Sequence, residues 1–437
     1  MTDLTFLSAT QLATLLRQRA VSAEQVVRAH LARIEVVNPH LNAVVQSDPA
    51  QALARARAAD AAAARGEWWG PLHGVPFTVK DWIETNDLIC TAGYASRLGY
   101  VPPADAAVVA RMRQAGAILL GKTNAVSGNE VYGLTNNPYN LAYSPAGSSS
   151  GEAAIIAAGG SPIGLGSDSG GSIRQPAHNC GVAGLKPTTG RVPLTGHYPR
   201  INVMNDPRTV IGPLARTVED LAFMLPIIQG VDWQDASVVP MPLAEWRLVR
   251  LAGLRVAFYT DYQAISPPAE VVRTVHAAAQ ALTAAGATVA EQTPPLVEHT
   301  YQITRDYWNR PEPESWETWD AGEETTLSSL EVEQHLFLWD RFRRALIAFM
   351  ADYDVLLTPA AQAPARPHDA DPGHIAYTLT YSLVGYPAAV VRCGTAPDGM
   401  PIGVQVVARP WRDDVALAVA AYLEQACGGW QRAGLVV

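Results

Sequence analysis

The chain has 437 residues, 48% apolar and 17% charged, which supplies a large core and excludes a mainly disordered protein. A net charge of −9 leaves no global basic field for phosphate backbones, so nucleic acid is not an expected partner. The four cysteines (Cys90, Cys180, Cys393, Cys427) form no CxxC, which argues against a disulfide framework or thiolate zinc site and for reduced, buried thiols.

In chain order, residues 1–65 read as helices. Ser8 and Ser22 each stand as a capping residue before an apolar run with helical spacing, and the alanine- and arginine-rich stretch 49–65 makes a third helix. No basic stretch followed by an apolar run opens the chain, and the uncharged run 153–167 is too short to span a bilayer. A cytoplasmic protein with no membrane partner is therefore expected. Residues 74–81 form a short apolar strand ending in charge at Lys80 and Asp81. Residues 104–115 are helical and 117–120 a buried strand. From 124 to 196 the chain is dense in Gly, Ser, Asn and Pro, broken by a helix at about 152–158. Alternation resumes with a strand at 254–259 and a helix at 270–285. Strands at 388–392 and 402–407 and a helix at 414–425 close the chain. No repeat or linker interrupts this order, which predicts one α/β body. The segment 307–344 sets Trp308, Trp316, Trp319 and Trp339 among many acids. It reads as an amphipathic helical pair whose indoles plug the core, with a substrate-facing lid as the other reading.

Several motifs fail on context. Gly116-Ala-Ile-Leu-Leu-Gly121-Lys122-Thr123 fits the phosphate-loop pattern, yet its four intervening residues are a strand rather than a loop. Gly147-Ser-Ser149-Ser-Gly151 fits the nucleophile elbow, but turn residues precede it where a strand is required. His368 and His374 flank a turn, and a solvated loop is the simpler reading than a metal site. Gly164 and Gly166 lack the third glycine of a dinucleotide loop.

Only three of the 32 basic residues are lysine: Lys80, Lys122 and Lys186. GC-rich coding explains much of the arginine bias but not why all three lie between 80 and 186, beside glycine or apolar runs. A desolvated lysine can lose its proton and arginine cannot, which makes these positions candidates for proton chemistry.

Three pieces stand out: Lys80 after its strand, the Gly147–Gly151 serine cluster, and Gly166-Ser-Asp168-Ser169-Gly170-Gly171-Ser172-Ile-Arg174-Gln-Pro-Ala177. Together they resemble the amidase signature family, whose hallmark runs place the nucleophile 24 residues beyond the relay serine, as Ser172 lies beyond Ser148. The stretches 74–81, 121–124, 184–188 and 403–407 also look like that family. The resemblance is dense over about 71–216, returns over about 355–430 and is thin between. It departs from the usual pattern at Ala146, Ser150, Glu152 and Ser169, where glycine, glycine, serine and threonine are commoner.

The resemblance implies a single domain over 1–437, a central mixed twisted β-sheet covered by helices on both faces. Within it, 1–70 would be N-terminal helices, 71–216 the catalytic core, 217–345 the variable substrate region and 346–437 the rest of the sheet. It also implies a Ser–Ser–Lys triad of Ser172, Ser148 and Lys80, with a cis peptide bond before Ser148. The chemistry is coherent by itself. Serine needs an adjacent base, no histidine lies in 147–177, and burial can strip the proton from a lysine. The alternative for Lys80 is a structural cation paired with Asp81. Backbone N–H groups of Ser169, Gly170, Gly171 and Ser172 would form the oxyanion hole. Asp168 and Arg174 would either brace that loop or touch substrate, and Ser149 or Ser150 would lend a hydrogen bond. No metal and no cofactor is expected. The expected activity is hydrolysis of small aryl or alkyl amides, and possible urethane and ester substrates follow from the shared carbonyl. The alternative is the glutamine-hydrolysing component of a heteromeric tRNA amidotransferase, its A subunit.

Overall fold

The computed structural model describes residues 3–126, 128–200, 207–262, 265–308, 328–371 and 373–434. Its strands are β1 (Val44–Gln46), β2 (Pro76–Lys80), β3 (Ile118–Thr123), β4 (Ile163–Asp168), β5 (Ala183–Lys186), β6 (Val210–Ala215), β7 (Arg255–Phe258), β8 (Thr288–Glu291), β9 (Val355–Pro359), β10 (Ala388–Thr395) and β11 (Pro401–Ala408). All belong to one 11-stranded sheet ordered β1-β3-β2-β4-β6-β5-β10-β11-β9-β7-β8. β3, β2 and β4 run parallel at one wing and β9, β7 and β8 at the other, with antiparallel pairs between them.

The helices among the described residues are α1 (Ala9–Arg17), α2 (Ala23–Leu41), α3 (Pro49–Ala64), α4 (Ala107–Gln114), α5 (Ser150–Ala157), α6 (Arg174–Cys180), α7 (Val218–Ile228), α8 (Ala269–Ala284), α9 (Thr300–Trp308), α10 (Ser329–Met350), α11 (Ala376–Leu383) and α12 (Asp413–Cys427). α1 and α2 begin at capping boxes, Ser8 with Gln11 and Ser22 with Gln25. Strand side chains alternate between faces, and both faces are covered. Val256, Leu357 and Val406 pack in the core shared with α5, α7 and α12, whereas Ala257, Leu356 and Val407 pack with α10 and α11. The fold is thus one α/β domain built on a large mixed sheet. None of the described helices is long and apolar enough to cross a membrane.

Three expectations can be set against these elements, and the one for the cysteines changes. The run 153–167 holds the end of α5 and most of β4. A Cβ on Gly164 or Gly166 would collide with the Glu152 carboxyl or with Ser149 Oγ, so these glycines admit α5 against the strand. They belong to packing rather than to nucleotide binding. Second, only Cys90 and Cys180 are buried; Cys393 and Cys427 are half-buried, and their thiols meet where α12 ends beside β10. Sequence spacing could not show that contact, because helix and strand bring them together. Third, the tryptophan segment is only partly described. Trp339 is buried and donates from Nε1 to Leu383 O at 2.8 Å, the core plug expected of it. Trp308 ends α9, while Trp316 and Trp319 lie outside the described residues.

Candidate active site

β2 and β4 are parallel neighbours in register Thr78↔Gly164 and Val79↔Leu165, so their carboxyl ends open on one edge of the sheet. Lys80 stands at the end of β2, and Ser167 and Asp168 at the end of β4. The N-terminal end of α5 arrives beside them, preceded by the cis peptide Gly147–Ser148. The carboxyl ends of parallel strands are where α/β sheets place their ligands.

Lys80 Nζ is fully buried, 2.6 Å from Ser148 Oγ and 2.9 Å from Ser167 Oγ. Burial drives its proton affinity well below that of a free lysine, with Asp168 and Glu152 pulling the other way. The ring of Trp82, 4.0 Å from Nζ, also favours the ammonium. Asp81 is not its partner: neighbouring strand residues face opposite sides, and Asp81 lies 3.9 Å from Lys122 instead. Among the described residues Lys80 forms no ion pair. Lys122 rests on the Ile83 carbonyl, and Lys186 donates to Tyr386 O at 2.9 Å and Pro187 O at 3.1 Å. Of three buried lysines, Lys80 meets serine hydroxyls.

Ser172 follows the glycine pair and is half-buried; its carbonyl accepts from Ser149 N at 3.1 Å, which ties the two serine runs together. Asp168 and Arg174 brace this loop. Arg174 donates to both Asp168 oxygens at 2.8 and 2.9 Å, and also to Thr378 O, Gln405 Oε1 and Ser382 Oγ. Both side chains are wholly buried in these protein contacts. Burial alone would raise the Asp168 carboxyl, but Arg174 outweighs it and brings the pKa to about 2.

One member leaves the expected set of oxyanion donors. Gly171 gives its N–H to Asp168 Oδ1 at 2.8 Å, because the loop must turn inward to seat the carboxylate. The N–H groups of Gly170 and Ser172 have no acceptor among the described residues. Ser169 spends its hydroxyl on Thr209 at 2.6 Å. Ser149 is no nucleophile elbow: it is buried just before α5, and its hydroxyl exchanges hydrogen bonds with the Ser167 backbone at 3.2 and 3.3 Å instead of capping the helix.

Two residues escaped sequence reading. Ser167 contacts Lys80 and was legible only as filler in a serine-rich run. Glu152 was visible as a departure in a serine position, and its carboxyl proves fully buried against Thr78 and Thr123. Beside the cluster lies a cavity of about 270 Å³ whose wall includes Ala146, Gly147, Gln175, Gln362, Arg366 and His374. His368 also lines it and meets Asn136 Oδ1 at 3.0 Å, so the two histidines face this space rather than each other through a metal. Among the described residues no group of three or more His, Cys, Asp or Glu is placed to hold a metal ion.

Comparison with known proteins places the chain in a family. The family model described as Amidase matches residues 25–311 and 314–417. The A subunit of glutamyl-tRNA(Gln) amidotransferase from Chloroflexus aggregans (strain MD-66 / DSM 9485) is 33% identical over 475 residues, 96% of each chain. An acylamidase of Rhodococcus erythropolis is 32% identical over 478 residues, 97% of this chain and 96% of that protein. Fatty acid amide hydrolase superposes with a TM-score of 0.87 at 26% identity, covering 97% of this chain and 86% of the other. These likenesses run through both halves of the sheet and the loops at its edge, and the chain belongs to the amidase signature family of hydrolases.

Proposed function

We propose that this chain is a cytoplasmic amidase that cleaves small aryl or alkyl amides through an acyl-enzyme on Ser172. Carbamates and esters, which present the same carbonyl, are side substrates. The observation that carries the reading is the buried Lys80 amine, 2.6 Å from Ser148 Oγ and free of any ion pair among the described residues.

A neutral amine has one lone pair and two N–H bonds. The lone pair accepts the Ser148 proton while an N–H is donated to Ser167. Ser148 in turn takes the proton of Ser172, whose Oγ attacks the carbonyl carbon. The oxyanion is received by the remaining N–H groups of this loop, those of Ser169, Gly170 and Ser172, each such donor being worth roughly 3–4 kcal/mol of barrier. The relay then returns its proton to the leaving nitrogen and the C–N bond breaks. Water enters, gives a proton to the same relay and attacks the acyl carbon. The carboxylic acid departs and Ser172 recovers its proton.

The cavity beside Gly147 supports a substrate without an ammonium group. Its described lining holds Arg366 and two histidines and no aspartate or glutamate, the residues that pair with the α-amino group of a free amino acid. The second reading, the glutamine-hydrolysing component of a tRNA amidotransferase complex, is favoured by the names and coverage of the amidotransferase relatives. One panel separates the two. Purified alone, the chain should hydrolyse anilides and alkyl amides, and a fluorophosphonate should modify Ser172 and no other residue. Ammonia release confined to glutamine, and only after partner proteins co-purify, would establish the second reading and end the first.

A further inference from the structure

Glu152 is a buried ionisable side chain beside the relay that has no place in it. It projects from the first turn of α5 onto the face of the sheet that carries Lys80. Thr78, two residues before Lys80 on β2, donates to one of its oxygens. Thr123, the β3 residue paired directly with Lys80, lies 2.7 Å from the other. The carboxyl therefore spans the two hydroxyls that flank the amine along and across the sheet, and it lies in the space a Cβ on Gly164 would fill.

Two carboxyl groups approach Lys80 with opposite surroundings. Asp168 has the Arg174 fork and the N–H groups of Gly171 and Ile173. Glu152, equally buried, has only hydroxyls and no ion pair among the described residues. Other ionisable groups on the packed elements are Lys122 on β3, Arg174 and His178 on α6, and Arg216, His30 and Arg33 toward the far end of α5. The helix N-terminus, the threonine hydroxyls, Lys122 and Lys80 favour a carboxylate. Burial opposes it and wins, raising the group to about 8.

We propose that Glu152 is a positioning residue for Lys80: a protonated carboxyl that fixes Thr78 and Thr123 beside the amine and withholds negative charge from it. Were Glu152 an anion, the proton that Lys80 must lack would be drawn back onto the amine. The importance of that effect rests on the proposed role of Lys80 as base; the protonation of Glu152 does not.

The test is Glu152→Gln, which keeps shape and neutrality. The ordinary glutamate value is 4.5 and the folded value about 8, so between them only the folded chain holds this proton. Rising pH therefore weakens the folded parent about tenfold per unit through this group. In urea unfolding from pH 5 to 8 the variant should gain on the parent by about that factor per pH unit. A difference that stays flat overturns the proposal. Next, the pH dependence of Ser172 modification by a fluorophosphonate should keep its acid midpoint in the variant. A midpoint falling by about one unit or more reveals a lost anion beside Lys80 and also overturns it. Glu152→Ser removes both threonine contacts and should slow that modification at least about tenfold, with glutamine restoring it. Parent-like rates with serine refute positioning. Should the glutamine variant not fold, the serine variant carries the unfolding series. If the probe labels no Ser172, the acyl-enzyme reading has failed, while the unfolding series still reports on Glu152.

Discussion

Replacing Lys80 by methionine should kill the enzyme and make it no less stable, a combination that a structural lysine cannot give. The amine is fully buried, with the Ser148 and Ser167 hydroxyls as hydrogen-bonding neighbours. Removing a general base costs about 10²–10⁴ in rate, roughly 3–5 kcal/mol of barrier. For stability, the sign follows from the depressed proton affinity of the folded state. Above the ordinary value of 10.5 both states are neutral and Lys80 costs nothing. As pH falls below it, the unfolded chain takes up a proton that the folded chain refuses, so stability drops until the folded value is passed. Each tenfold loss of proton affinity costs about 1.4 kcal/mol at neutral pH. Methionine abolishes that cost and forfeits two hydrogen bonds of about 0.5–1.5 kcal/mol each. Thermal unfolding at pH 7 should therefore occur at or above the parent temperature, with turnover reduced at least about a hundredfold. Lys80→Arg, which keeps a charge that cannot be shed, should be equally inactive and less stable. More than a few per cent of parent activity in either variant refutes the neutral-amine base. A dead methionine variant that also melts early marks Lys80 as a structural cation.

Three further outcomes follow from the site. Asp168→Asn breaks a buried ion pair and should cost about 3–5 kcal/mol in urea unfolding at pH 7. The parent's own stability should decline by about 2 kcal/mol as pH falls from about 4 toward 2, because the unfolded chain protonates this carboxyl there and the folded chain does not, and the asparagine variant should lack that decline. Gly171→Ala places a Cβ against Thr378 Oγ1 at a φ of +138°, so soluble yield and Ser172 labelling should both collapse. Lys186→Met sheds the same kind of burial cost and two hydrogen bonds, so it should melt at or above the parent temperature at pH 7 and leave the rate of Ser172 labelling within about tenfold of the parent, because Lys186 meets only carbonyls.

How far the sequence could be read depended on whether a residue's partner was local. The capping serines Ser8 and Ser22, the helix at 269–284 and the strand at 255–258 were legible because their signals lie within one turn or one alternation. β4 was not, since Ile163–Asp168 is buried on both faces and rich in glycine, with no alternation to detect. Its short, parallel pairing with β2 is a non-local fact. Lys80, Ser148 and Ser172 could be named because their run and spacing resemble a known family. That Asp168 takes the Gly171 N–H, removing it from the oxyanion donors, depends on where a buried guanidinium sits, and no spacing records it. Ser167 was hidden for the plainest reason: in a serine-rich segment, composition cannot say which hydroxyl faces a lysine at the end of a neighbouring strand.

Depressed basicity is shared by more than one lysine here, so it cannot by itself identify the base. Burial lowers Lys186 to about 7, close to a useful value for proton transfer. Yet its amine contacts the carbonyls of Pro187 and Tyr386, and a carbonyl has no proton to give. Lys122, also fully buried, rests on the Ile83 carbonyl, near Asp81 and 3.7 Å from Cys90 Sγ, whose thiol proton is already given to the Asp81 carbonyl, which again leaves it nothing to accept. Lys80 differs in one respect only: both of its close partners are hydroxyls, and one of them, Ser148, belongs to the run that reaches Ser172. The same distinction separates the two carboxyls beside it. Asp168 is ionised by an arginine and shapes a loop, while Glu152, given only threonines, keeps its proton. At this sheet edge equal burial yields four different roles, and the atom each charged group touches decides which.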